Sequence, residues 1–297
     1  MVKNMINGES ADANGLGTAG LRGLRNPVVI AAFEGWNDAA DAATEVIEHL
    51  TQQYATDLLF ELDPEDYFDF QETRPRVQLG FEGKELVWPT ISVSVCHFPN
   101  RDAVLLSGPE PNLKWRSFTA NVISALRSVK PEMVILLGAM LTDSPHTRPL
   151  PVSASSNDAG LARALGLSPS NYEGPTGIVG VLNEACVRAG FTTISLWASV
   201  PHYVAAPPNP KATLALLQRI EDVLDESLSL GDLPELTNAW ERGVNELTAD
   251  DPDITEYVEA LEEKTDASDL PEEIGEAIAN EFERYLRRRG PGGAAQS

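Results

Sequence analysis

The sequence predicts an α/β protein, a mostly parallel central sheet flanked by helices, with an acidic helical subdomain towards its C-terminal end. Three observations carry that expectation. Pro27 to Leu50 reads as a buried strand, a tight turn and an amphipathic helix. Strand-length apolar runs then alternate with amphipathic stretches as far as about Ser229, the pattern of strands joined by crossover helices. From Asn209 onward the spacing of apolar residues is helical throughout.

Val28 to Phe33 is an uninterrupted apolar run, suited to a strand covered on both faces. Glu34-Gly35-Trp36-Asn37-Asp38 breaks it. Asp38 is placed to N-cap a helix that carries Ala42, Val46, Ile47 and Leu50 on one face. Thr56 to Leu62 is a second strand, and the Pro-bounded stretch from Asp63 to Arg76 is a surface loop. Val77 to Phe81 and Leu86 to Trp88 flank Glu82-Gly83-Lys84 as a hairpin, and Thr90 to Phe98 follows it in an antiparallel insertion. Ala103 to Ser107, Met133 to Leu137, Val152 to Ser155 and Thr192 to Val200 are further strands. Helices are expected around Phe118 to Leu126, over Asp158 to Leu165, and from Ile178 to a stop at Gly190. Four more apolar stripes follow: Leu214 to Leu224, Leu236 to Leu247, Ile254 to Leu261 behind Asp251-Pro252, and Ile274 to Leu286. The expected organisation is a disordered tail over 1–26, an α/β core over 27–229, an acidic helical subdomain over 230–289 and a disordered tail over 290–297.

The chain of 297 residues carries a net charge of −23. Glu221 to Leu286 holds 22 acidic and 3 basic side chains, a net of −19, so the acidity belongs to the C-terminal segment. Such a balance excludes a phosphate-backbone binder, and no nucleic-acid partner is expected. Arg287-Arg288-Arg289 ends a predicted helix and compensates its dipole. The N-terminal stretch has no apolar signal region and no apolar run approaches the ~18 residues of a membrane span, so the expected location is cytoplasmic with no membrane partner. Cys96 and Cys186 lie in apolar stretches and read as buried free thiols. Gly15, Gly17 and Gly20 form a G-x-G-x-x-G with no strand before it, which rejects a dinucleotide site. The chain has no nucleophile elbow, no P-loop and no cysteine spacing for zinc. No metal and no cofactor are implied.

Polar clusters follow three of the strands. The first strand leads into Glu34, Trp36, Asn37 and Asp38, the MVILL strand into Asp143, His146 and Arg148, and the last core strand into His202 and Tyr203. In a parallel sheet these loops converge on one edge, where crevices form. Asp143, His146 and His202 are the candidates for acid–base chemistry, and Glu34, Trp36, Asn37, Asp38, Arg148 and Tyr203 for ligand binding. An equally direct reading makes Asp143, His146 and Arg148 an internal clamp on a Pro-bounded loop. Gly174, Gly177 and Gly180 begin a helix and either cradle an anion or make a tight turn.

Six blocks carry a resemblance: FEGWNDAADAA from residue 33, DYFDFQETRP from 66, LLSGPEP from 105, LLGAMLTDSPHTRP from 136, YEGPTGIVGVL from 172 and WASVPHYVAAPPNPKAT from 197. In this order they resemble the proteasome assembly chaperone 2 family over roughly residues 27–225. The resemblance implies a phosphorylase/hydrolase-like core similar to purine nucleoside phosphorylases, and homo-oligomers, for which a trimer is expected here. It implies no established enzyme activity. The expected function is a homo-oligomer that binds a protein partner or a small ligand; the alternative is an enzyme resembling nucleoside phosphorylases or hydrolases, acting on a nucleoside-like or anionic substrate. Family members that dock on proteasome rings end in hydrophobic-Tyr-any residue, whereas this sequence ends Ala295-Gln296-Ser297, so docking through that tail is not expected.

Overall fold

The computed structural model describes residues 21, 23–81, 83–167 and 172–268. The helix expected at 274–286, the arginine run, both chain ends and the glycine motif at 15–20 lie outside these residues.

β1 (Val28–Glu34) is buried along its whole apolar run. That burial follows from its place at the centre of a seven-stranded sheet. It pairs in parallel with β6 (Asp102–Pro109) on one side and β7 (Val134–Thr142) on the other. β9 (Thr193–Pro201) continues the parallel core beyond β7. The remaining strands are antiparallel: β2 (Thr56–Glu61) pairs with β5 (Ser92–His97), β5 with β6, and β8 (Val152–Ser156) with β9. The sheet is therefore mixed, where a mostly parallel one was expected. An antiparallel β5 was anticipated, but β2 and β8 were not. β8 returns after β7 through a short loop, which can support an antiparallel pairing without a crossover helix.

Alternate residues of β1 feed two cores. Val28, Ile30 and Ala32 meet α1 (Ala42–Gln53) and α6 (Pro210–Leu224) on one face. Val29, Ala31 and Phe33 meet α3 (Trp115–Val129) and α5 (Ile178–Arg188) on the other. Short helices α2 (Pro64–Tyr67) and α4 (Ala159–Ala164) lie in connections. Asp38 caps α1 as its type suggests, but from further upstream: its carboxylate accepts from Ala43 N at 2.6 Å and Thr44 N at 3.2 Å. A 3₁₀ turn (Ala39–Asp41) intervenes, with Ala40 and Asp41 at φ 55° and 56°.

Leu21 and residues 23–26 are placed against the core. Leu21 is buried among the α3/α5 core residues, and Arg25 binds Asp102 through its backbone N and its guanidinium. The tail expected over 1–26 thus has an anchored end, because the buried Asp102 carboxylate needs those donors.

The hairpin is present as β3 (Arg76–Gly80) and β4 (Gly83–Val87), a separate two-stranded sheet. α7 (Leu233–Ala249) and α8 (Pro252–Ser268) end the described chain. Leu233 joins the α1/α6 core, and Val244, Val258 and Leu261 are buried behind it. Among the described residues no helix is long and apolar enough to cross a membrane.

Candidate functional site

The loop after β1 is mostly spent on joining elements. Asn37 is buried, its Nδ2 donates to Glu110 Oε1 at 2.7 Å, and its backbone O accepts from Ala139 N. The same Glu110 oxygen accepts from Ile178 N at 2.7 Å and so caps α5. Gly177 is required there, since a Cβ would come within 2.3 Å of Asn37 Oδ1. This supports the tight-turn reading of the glycine run. Burial pushes the Asp38 carboxyl up to about 6, although three donors converge on it. Glu34 is exposed at the strand end, and Trp36 stands 64% exposed.

The loop after β7 buries its imidazole and leaves Asp143 at the surface. His146 is 1% exposed. Its backbone N donates to the Tyr203 hydroxyl oxygen, so the Tyr203 O–H is left to donate to Nδ1, at 2.8 Å. That fixes the neutral tautomer in which Nε2–H donates to Asn245 Oδ1 at 3.0 Å. Trp240 of α7 closes over the ring edge. Burial, with help from the nearby Lys211 charge, holds the imidazole below its ordinary pKa. Lys211 donates to the His146 carbonyl and pairs with Glu241 at 2.7 Å. Thr147 donates to Glu262, and Arg148 forms a two-pronged pair with Asp266 at 2.8 and 2.9 Å. Asp143 does not orient His146. It accepts from Tyr257 at 3.3 Å and lies 3.5 Å from His202 Nδ1.

Asp143, His146, Arg148, His202 and Tyr203 are thus brought together, but as a latch that docks α7 and α8 onto the end of the sheet. The clamp expected within the loop, with Asp143, His146 and Arg148 meeting one another, is replaced by pairings to Tyr203, Asn245, Tyr257 and Asp266. The partners on the other side, Asn245, Tyr257, Glu262 and Asp266, were not singled out from sequence. Glu262 and Asp266 stand four apart and share a helix face, a signal that is lost among the many acids of that segment.

A cavity of about 990 Å³ opens beside this latch. Trp36, Ala39 and Ala40 from the β1 loop, the end of β7, strand β8, Trp197 of β9 and the start of α5 enclose it. Of the residues singled out from sequence, Trp36 and Gly180 line it. Trp197 lies against the β7 backbone at Gly138, where a Cβ would fall 2.6 Å from its ring. Among the described residues no group of three or more His, Cys, Asp or Glu could hold a metal ion.

The hairpin gives a second exposed feature. Pairing of Val77 with Leu86 and Leu79 with Lys84 puts Val77, Leu79 and Leu86 on one face. Trp88, at its base, meets Phe70 edge-on at 4.7 Å. Outward from there Leu79 is 84% exposed and Phe81 fully so.

A three-layered α/β protein with an internally paired polar edge and an exposed apolar hairpin is the class these features define. The sequence profile of the PAC2 family matches residues 32–248, and the chain belongs to that family. A PAC2 family protein from Streptomyces avermitilis is 50% identical, with a TM-score of 0.74 over 78% of this chain and 99% of that one. A proteasome-assembly chaperone homologue from Mycobacterium tuberculosis is 48% identical, with a TM-score of 0.72 over the same shares of 78% and 99%. An archaeal proteasome activator from Pyrococcus furiosus shares the fold, with a TM-score of 0.59 at 16% identity over 76% of this chain and 94% of that one. The search of curated proteins returned no match.

Proposed function

We propose that this chain is a homo-oligomeric, chaperone-like protein that binds protein partners, and that it associates with itself through the β3–β4 hairpin. The single observation that carries the reading is the hairpin's apolar face: Val77, Leu79, Phe81 and Leu86 are each half or more exposed among the described residues. Monomeric proteins rarely leave such a contiguous patch bare. A second copy is the occupant we propose, with burial of the apolar face offsetting the mutual repulsion of molecules of net charge −23. The relative described as a proteasome-assembly chaperone homologue, 48% identical, supports the chaperone-like part.

On this reading Asp143, His146 and His202 dock the helices rather than catalyse. His146 is buried with both ring nitrogens engaged, and the exposed Asp143 and His202 contact Tyr257 and each other, an arrangement that favours docking over the enzyme alternative. The helices on both faces of the sheet support a phosphorylase/hydrolase-like core over 27–229, and the docking of α7 and α8 supports a separate helical unit from residue 230. Buried free Cys96 and Cys186 fit a reducing, cytoplasmic setting. Light scattering of the full chain tests the assembly. It should give a multiple of 32.1 kDa, with three chains as our expected number. A monomer at tens of micromolar would overturn the proposal.

A further inference from the structure

The cavity beside Trp36 belongs to neither the latch nor the hairpin. It sits at the C-terminal ends of β1 and β7. There the neighbouring helices part, α1 packing on one face of the sheet and α5 on the other. Open α/β sheets bind small molecules in crevices at such points. The volume of about 990 Å³ is on that scale. One wall is strained, with Ala40 held at φ 55°. A non-glycine residue keeps that conformation only where its surroundings enforce it, and such positions gather at binding sites.

The lining says what would fit. Register puts Ser153 and Ser155 on the same face of the sheet as Trp197 and Ser195, the face that α5 covers. Trp197 Nε1–H donates to Ser195 Oγ at 2.9 Å, which leaves its ring as an apolar surface. Trp36 offers a second, exposed indole. Asn183 of α5 and Ser155 of β8 both line the space, and among the described residues neither side chain has a partner. An aliphatic ligand would bury that amide and hydroxyl unpaired, which is unfavourable. A charged ligand would find no unpaired counter-ion: among the described residues no carboxylate lines the cavity, and Arg219 is already paired with Asp222 at 3.5 Å and donates to Leu165 O at 3.0 Å, which leaves its buried Nε–H as a donor for a neutral acceptor. An uncharged ring with donor and acceptor on one edge satisfies both constraints, because indoles favour aromatic contact and a carboxamide both donates and accepts.

We propose that this cavity is a binding site for an uncharged planar heteroaromatic small molecule, its ring against Trp197 and Trp36 and its polar edge met by Asn183 and Ser155. The proposal is independent of the hairpin's role. The test titrates the full chain with adenine, uracil and nicotinamide, following tryptophan fluorescence and heat, with benzoate and cyclohexanol as charged and non-aromatic controls. At least one heteroaromatic should saturate with a Kd at or below about 1 mM, and the controls should not. Asn183→Leu should weaken that binding about tenfold or more, which corresponds to about 1.4 kcal/mol. Ser155→Val should weaken it too, and Ser153→Trp should abolish it by filling the space. All three variants should keep the melting temperature of the parent. Failure of all three heteroaromatics to saturate, equal binding of a control, or unchanged affinity in the folded Asn183→Leu and Ser155→Val chains would overturn the proposal.

Discussion

The end of β7 and the β3–β4 hairpin make an instructive pair. Both attract notice in the sequence, one as a run of acid, imidazole and guanidinium, the other as a run of apolar residues beside a turn. The chain answers the first from within: His146 finds Tyr203 and Asn245, and Arg148 finds Asp266. Among the described residues it leaves the second unanswered, since Leu79 and Phe81 are almost wholly exposed. On the proposed reading, unmet surface more than chemical reactivity marks the contact with another molecule. The polar cluster that invites a catalytic reading is the one the fold has already used.

The largest effect should come from charging the hairpin. Leu79→Glu with Phe81→Glu removes two apolar anchors, each worth roughly 1.5–3 kcal/mol when fully buried. The assembly should fall to chains of 32.1 kDa by light scattering, with the melting curve of the fold little changed. An assembly that survives both charges would place the contact elsewhere.

Breaking the latch should cost the fold instead. His146→Ala empties a buried position and leaves the part-buried Tyr203 hydroxyl without its acceptor, while the exposed Asn245 amide turns to water. A loss of about 2–4 kcal/mol in denaturant unfolding is expected, with self-association retained at temperatures where the variant is folded. A neutral substitution would mean that α7 is held by other contacts.

Acid should find the same latch. The folded chain holds His146 below its ordinary value, so the unfolded chain takes up the proton first as pH falls. The stabilisation is present above about pH 6.5 and is lost below it, as pH falls towards the folded value. His97 acts in the opposite sense. Its bonds to Asp102 and Asp57 raise its pKa, so its contribution is present below about pH 6.5 and fades as pH rises through the raised value. Unfolding midpoints between pH 5 and 7 should therefore lose their acid-side decline in His146→Gln and steepen it in His97→Gln. The same slope in both variants would contradict the assignment.

Arg148→Ala should have the smallest effect. Its pair with Asp266 is largely solvent-exposed, and such pairs contribute well under about 1 kcal/mol and weaken with salt. A larger loss in a thermal scan would make Arg148, rather than His146, the centre of the latch.

Much of this fold could be read before the coordinates, and the reasons are local. Val28 to Phe33 is apolar at every position because both faces of β1 are covered, and α1, α3, α5 and α6 announce their buried faces by spacing. The hairpin was legible from Glu82-Gly83-Lys84 between apolar runs. The antiparallel direction of β8 was not, because Val152 to Ser156 would look the same in either direction; its partner β9 lies some forty residues on. The site failed to show for a similar reason. Nothing near His146 in the sequence identifies Asn245, 99 residues away, as its partner. The cavity lining is small, neutral and scattered. Trp36 could be singled out by its place after a strand, but Asn183 sits within an ordinary helix and has no local mark.

Hydrogen–deuterium exchange at rising protein concentration tests the contrast most directly. Peptides covering residues 76–88 should exchange more slowly as concentration rises through the assembly range, because a second copy covers the hairpin. Peptides covering 143–148 and 240–262 should be protected to the same degree at every concentration, because their partners belong to the same chain. A hairpin that exchanges equally fast at all concentrations, or a latch that gains protection only on assembly, would contradict the account.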